Sequence, residues 1–168
     1  KMKWSEFEKG LNLALKSKTT YAYGSFGWQL NDNYKKRLLD NKRNSSDKNI
    51  KNGINKGDIN TFAFDCVCLP KGILWGWNGN NKVNYGGAVY KANGVPDIDS
   101  DVMTSKAHMT EYSIDFSKIK KGAFVGMKGH MGIYVGNGEV IECTPKWTGD
   151  VLKSKLTDRN WLRWGMSN

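Results

Sequence analysis

The stretch 122–144 constrains the fold of this chain more than any other part of it. It holds three short strand signals, 122–127, 130–136 and 139–144, each rich in β-branched or large apolar residues. Gly136-Asn137-Gly138 separates the last two, and Asn-Gly tolerates the positive φ that a tight hairpin turn demands. A further strand is expected near 161–164. Far upstream, Trp4, Phe7, Leu11 and Leu15 recur at helical spacing, so 3–17 reads as an amphipathic helix, with Ser5 and Glu8 as a capping box. Helices first and an antiparallel sheet afterwards make an α+β fold.

Between these ends the chain is more polar. Residues 31–60 are rich in Asn, Lys and Asp. Tyr34, Leu38 and Leu39 anchor one short helix there, and the rest reads as an exposed, polar and basic insertion. Segment 78–101 is loop-like, and 103–109 is expected to form a short helix. With 168 residues, 39% of them hydrophobic, the whole chain 1–168 is expected to be a single domain. No apolar run is long enough to span a membrane, and the N-terminus shows no signal-peptide core. The net charge of +10 points to polyanionic surroundings such as anionic bacterial wall polymers. No nucleic-acid motif accompanies that charge.

Phe64-Asp65-Cys66 puts a thiol after an apolar run and an Asp able to cap a helix over 66–75. Pro70 has no N–H for the Cys66 carbonyl. Either the first turn is irregular, or the regular helix begins near Pro70 and Cys66 sits in the preceding turn. In both cases the Cys66 N–H is expected to serve as an anion donor. A helix N-terminus and a nearby imidazolium both favour thiolate, which pairs Cys66 with His130 as nucleophile and base. The rival is a zinc site built from Cys66, Cys68, Cys143 and His130. C-x-C fits zinc-ligand spacing poorly, so no metal and no cofactor is expected. Cys68 reads as a small core residue, and His108 has no partner signal.

Which residue orients His130 depends on the hairpin. A two-residue Asn137-Gly138 turn puts Cys143 on the histidine's face. A three-residue loop with a bulge at Gly138 puts Glu142 there, because a one-residue slip swaps faces. Chemistry favours Glu142, since a carboxylate fixes the imidazole tautomer. Tyr21 and Tyr23 are either packing aromatics or site-lining residues, and the same choice between core and groove wall holds for Trp75 and Trp77.

Three separated pieces resemble the NlpC-type cysteine peptidases, papain-like hydrolases of cell-wall peptides. Tyr21-Ala22-Tyr23-Gly24-Ser25 is similar to the family's P-Y-V-W-G-G segment. Phe64-Asp65-Cys66-Val67-Cys68-Leu69 is similar to F-D-C-S-G-L, and His130 through Gly136 to H-V-G-I-Y-L-G. The W-G-W after the cysteine helix and the insertion before it look closest to a phage or prophage branch. This chain departs from the pattern at Cys68, where glycine is usual, at Glu142, where His, Asn or Gln is commoner, and at Ala123, in place of an aspartate.

The resemblance implies a papain-like NlpC-type fold, with the cysteine helix and other N-terminal helices packed on a central antiparallel sheet. It implies Cys66 as nucleophile, His130 as base and Glu142 as the third polar residue, with Tyr21, Tyr23 and Asp65 lining the oxyanion and substrate positions. The implied reaction is hydrolysis of peptidoglycan stem-peptide amides, γ-D-glutamyl to diamino acid, by an endolysin- or autolysin-like monomer. Such an enzyme acts at the bacterial cell wall, secreted or phage-delivered. The alternatives are an N-acetylmuramoyl-L-alanine amidase, a cross-bridge peptidase, and a non-catalytic wall-binding module.

Overall fold

The computed structural model describes residues 2–167. They fall into two compact units. One runs to Pro96 and includes Cys143–Leu152; the other comprises Asp97–Glu142 and the chain from Lys153 onward.

The first unit opens with α1 (Trp4–Lys16), which buries Phe7, Leu11 and Ala14 along one stripe. The helix begins a residue before Ser5. The Lys3 carbonyl receives the N–H groups of Glu6 and Phe7, and Lys3 itself makes no side-chain cap, so the expected Ser5/Glu8 capping box does not form. A three-stranded sheet follows, with β1 (Lys18–Tyr21), β2 (Phe26–Gln29) and β3 (Thr61–Phe64) in the order β1-β3-β2. β1 runs parallel to β3, with Tyr21 opposite Phe64, and β2 runs antiparallel to it. The aromatic, glycine-punctuated stretch 19–27 thus supplies most of β1 and the start of β2. Gly24, with φ at 90°, lies in the connection between them.

Residues 31–60 are not an exposed insertion with one helix. They form α2 (Asp32–Leu39), α3 (Lys42–Ser45) and α4 (Lys48–Lys56), which bury Tyr34, Leu38, Asn44, Ile50 and Ile54. The Asn and Asp residues that read as loop are helix starts. Asn31 accepts from the Tyr34 N–H, Asn41 from Arg43, and Asp47 from both Asn49 and Ile50. After β3 comes α5 (Cys68–Leu74), so Cys66 lies in the turn before the regular helix. The helix begins two residues ahead of Pro70. Pro70 thus falls in the first turn, where an N–H has no partner within the helix, and its missing donor breaks nothing.

In the second unit, α6 (Ser100–Met103) is capped by Asp99, whose carboxylate accepts from the Val102 N–H; it precedes the helix expected at 103–109. The main sheet contains β4 (Thr110–Ser113), β5 (Phe124–Met127), β6 (His130–Gly136), β7 (Glu139–Cys143), β8 (Val151–Lys155) and β9 (Arg163–Met166), ordered β4-β9-β5-β6-β7-β8. The pairs β4–β9, β9–β5, β5–β6 and β6–β7 are antiparallel. Ala123, Val125, Val140, Trp161 and Trp164 form its buried cluster. The chain is an α+β protein with N-terminal helices and an antiparallel sheet.

Candidate active site

His130 is the first residue of β6, and the hairpin after it settles which side chain meets its ring. Asn137 (φ 53°) and Gly138 (φ 74°) form a two-residue turn that pairs Gly136 with Glu139. A bulge between Tyr134 and Gly136 then shifts the ladder, so that Tyr134 pairs with Val140 and Ile133 with Ile141. The turn is the tight form, yet the bulge gives the register of the longer loop. Glu142, rather than Cys143, shares the face of His130.

Glu142 is fully buried, and its carboxylate organises this end of the sheet. Oε1 lies 2.7 Å from His130 Nε2 and accepts the Arg159 Nε–H at 2.7 Å, while Oε2 accepts the Ser154 hydroxyl. Burial alone raises the pKa of such a group. Hydrogen bonds from His130 and Ser154, with the positive charge of His130 and Arg159, outweigh it and hold Glu142 below the ordinary glutamate value. An ionised Glu142 accepts a proton-bearing Nε2, which in the neutral imidazole leaves Nδ1 with the lone pair. The indole of Trp161 stacks on the imidazole, with centroids 5.5 Å apart and planes 18° from parallel. Gly132 leaves room beside this group, because a Cβ there would stand 2.6 Å from Val140 Cγ1 and 3.4 Å from Glu142 Cβ. A ring fixed at one nitrogen and along one face can transfer protons at the other.

Cys66 belongs to the first unit. Asp65 fixes its turn: Oδ1 accepts the Cys68 N–H at 2.8 Å and Oδ2 the Gly24 N–H at 2.8 Å. Both oxygens are occupied by backbone donors, which accords with a capping role. Tyr21 shares this neighbourhood. Its burial, followed by the negative charge of Asp65, pushes the phenol far above its usual pKa despite Arg43. Tyr21 thus keeps its proton and is a hydrogen-bond donor. The Cys143 thiol bonds the Phe64 carbonyl at 3.2 Å, and Cys66, Cys68 and Cys143 are all buried and not disulfide-linked.

Tyr23 is held by Asn44, which is wholly buried. The Asn44 side chain accepts the Tyr23 N–H and donates to the carbonyls of Tyr23 and Leu38, while the Arg43 guanidinium lies 3.7 Å from the Tyr23 ring centroid. Replacing Asn44 with alanine leaves the part-buried Tyr23 N–H and carbonyl without this partner, while the Leu38 carbonyl keeps the Asn41 N–H, and is expected to lower stability by about 1–3 kcal/mol, measured by urea denaturation. Trp75 and Trp77 are buried, with indole N–H groups bonded to the Val95 and Gly27 carbonyls, so they are core residues rather than a groove wall. His108 is half-buried in the turn before β4.

Arg159, Ser154, Trp161 and Asn44 were not marked by the sequence. Arg159 and Ser154 sit among Lys and Asp residues that read as solvated surface, and a polar residue that will become fully buried carries no local signature. Among the described residues, no group of three or more His, Cys, Asp or Glu is arranged to hold a metal ion.

No protein-family model and no curated protein matches the sequence. Among solved structures, the chain is similar to the P60 domain of an antigen from M. avium subspecies paratuberculosis, at 15% identity and a TM-score of 0.48, over 96% of this chain and 92% of that one. It is also similar to the peptidoglycan hydrolase RipB from Mycobacterium tuberculosis, at 15% identity and a TM-score of 0.44, over 98% of this chain and 67% of that one.

Proposed function

We propose that the chain is a cysteine amidohydrolase that cleaves stem-peptide amides of bacterial peptidoglycan, with Cys66 as nucleophile, His130 as acid and base, and Glu142 as its positioning residue. The observation that carries this is the His130–Glu142 pair, backed by Arg159, Ser154 and the Trp161 ring. A buried carboxylate that is held by Arg159 and Ser154 and bonded to one imidazole nitrogen is a means of presenting the other nitrogen for chemistry. Cys66 supplies the matching thiol, in a turn tied by Asp65 and beside the proton-bearing phenol of Tyr21.

The Cys66 thiolate attacks the scissile carbonyl, forming the C–S bond, while the C–N bond breaks and His130 protonates the departing amine. Water then attacks the thioester. His130 takes its proton, the acid is released and the thiol is restored. Tyr21 is the candidate O–H donor to the developing oxyanion, a contribution of about 3–4 kcal/mol where one such donor is lost.

The residues matched to the NlpC family point to the γ-D-glutamyl to diamino acid bond, cleaved at the cell wall by a monomer whose two units act as one catalytic domain, of the kind phages carry. Mass spectrometry of soluble products from purified peptidoglycan tests the bond. New termini at D-glutamate and the diamino acid are expected. Products ending at muramic acid or within cross-bridges would move the assignment to an amidase or cross-bridge peptidase, and no release from any wall type would remove the hydrolase assignment.

A further inference from the structure

Most arginines of this chain have found their acceptors. Arg37 lies over the Trp28 and Tyr34 rings and donates to the Tyr85 hydroxyl. Arg159 holds Glu142, and Arg163 bonds the Thr104 carbonyl and pairs with Asp101. Arg43, in the first unit, is the exception. Among the described residues, its exposed guanidinium has neither a hydrogen-bond acceptor nor a carboxylate partner.

The side chain is nevertheless placed. The Arg43 N–H is tied to the Asn41 side chain at the start of α3, and the guanidinium carbon lies 3.7 Å from the centroid of the Tyr23 ring. The next residue, Asn44, is wholly buried and grips both the N–H and the carbonyl of Tyr23. α3 thus fixes the ring and supplies the cation that lies over it.

This pair borders the turn of the proposed nucleophile. Tyr23 precedes Gly24, whose N–H bonds Asp65 Oδ2 at 2.8 Å, and Asp65 precedes Cys66. Arg43 is also near enough to Tyr21 for its charge to oppose, on that phenol, the effects of burial and of Asp65. Asp65 leaves Arg43 unpaired, its oxygens being turned to the Gly24 and Cys68 N–H groups. The space over the turn is open, because a Cβ built on Gly24 would meet no atom within 4 Å.

A guanidinium with one face against an aromatic ring keeps its N–H edges free, in the fork that matches a carboxylate. Stem peptides offer that group close to the reacting carbon. A γ-linked glutamyl residue is joined through its side-chain carbonyl, so its α-carboxylate stays free on the same residue that the thiolate attacks. An α-linked alanine or glycine has no such charge. We propose that Arg43 binds this α-carboxylate and thereby selects γ-D-glutamyl bonds for attack by Cys66. This role rests on the hydrolase function proposed above and names the substrate group that the site grips.

Two synthetic L-alanyl-γ-D-glutamyl-diamino acid peptides test it, one with the free α-carboxylate and one with the α-carboxamide in its place. Wild type is expected to cleave the carboxylate peptide with kcat/KM about tenfold higher, through a lower KM, and Arg43→Gln to erase that preference. Arg43→Lys, a point charge without the fork, should restore part of it. Amidating only the diamino acid carboxyl should leave the dependence on Arg43 unaltered. Arg43→Gln should fold as wild type does, since the side chain it replaces is exposed and makes no hydrogen bond. Calorimetric titration of the same peptides into Cys66→Ala, with and without Arg43→Gln, should give the same order of affinities with nothing cleaved. Equal handling of the two peptides by wild type, or a preference that survives in Arg43→Gln, would overturn the role of Arg43 and leave the hydrolase standing. A dependence on Arg43 that follows the diamino acid carboxyl would overturn it as well. Arg43-dependent binding of the carboxylate peptide, with no cleavage by wild type, would uphold the anchor and remove the hydrolase.

Discussion

Replacing Cys66 with alanine is expected to lower the release of soluble fragments from purified peptidoglycan on the order of 10⁴–10⁶-fold, to the background without enzyme. The substitution removes one sulfur from a buried turn that Asp65 ties through the Cys68 and Gly24 N–H groups. Folding should therefore persist, with thermal unfolding shifted only slightly. Cys66→Ser should be nearly as inactive, because a hydroxyl does not ionise as a thiol does. Cys143→Ala separates this from general thiol loss. Cys143 bonds the Phe64 carbonyl and takes no part in the proposed chemistry, so that variant should retain activity within severalfold. Product release measured alongside circular dichroism for the three variants distinguishes a nucleophile from a structural thiol.

Glu142→Ala is the change expected to damage the fold most. It removes the acceptor for His130, Arg159 and Ser154 together and leaves the largely buried Arg159 cation without its anion. Breaking such a pair from one side typically lowers stability by about 3–5 kcal/mol. Glu142→Gln behaves differently. Its amide oxygen can still serve His130 and Arg159, while its NH₂ faces Ser154, whose hydroxyl can turn to accept. Stability should fall by about 1–2 kcal/mol, and the imidazole should keep its tautomer with reduced activity.

The pH dependence has a definite sign. Glu142 is held below the ordinary glutamate pKa in the folded chain, so its ionised form adds stability above that ordinary value, and the contribution is lost as pH falls through the folded value. Urea midpoints of wild type and Glu142→Gln should therefore converge on acidification. A gap that persists unchanged in acid would contradict the charge-based role.

How much of this was legible in the sequence varied with the range of the interactions. The hairpin strands 130–136 and 139–143 were readable because Asn-Gly punctuation and apolar runs are local. The bulge at Val135 was not, since it reflects how Tyr134 and Gly136 pair across the ladder. That one residue decides whether Glu142 or Cys143 meets His130. Asp65 was legible as a cap because capping is set by a few neighbouring atoms. Its second bond, to Gly24, joins residues forty-one apart and left no trace. Residues 31–60 misled for a related reason: Asn31, Asn41 and Asp47 have loop composition and cap function at once, and only the buried Tyr34, Leu38, Ile50 and Ile54 reveal the helices between them. Ser154 and Arg159 were hidden most deeply, because a buried polar residue is recognised only by its partners.

Intact-protein and peptide mass spectrometry after brief exposure to iodoacetamide addresses the central claim directly. A thiol activated by His130 should be alkylated at Cys66 ahead of Cys68 and Cys143, with hydrolysis lost in step, and the His130→Ala variant should label slowly at Cys66. Alkylation spread evenly over the three cysteines, or full activity in protein modified at Cys66, would contradict the assignment of Cys66 and His130 as nucleophile and base.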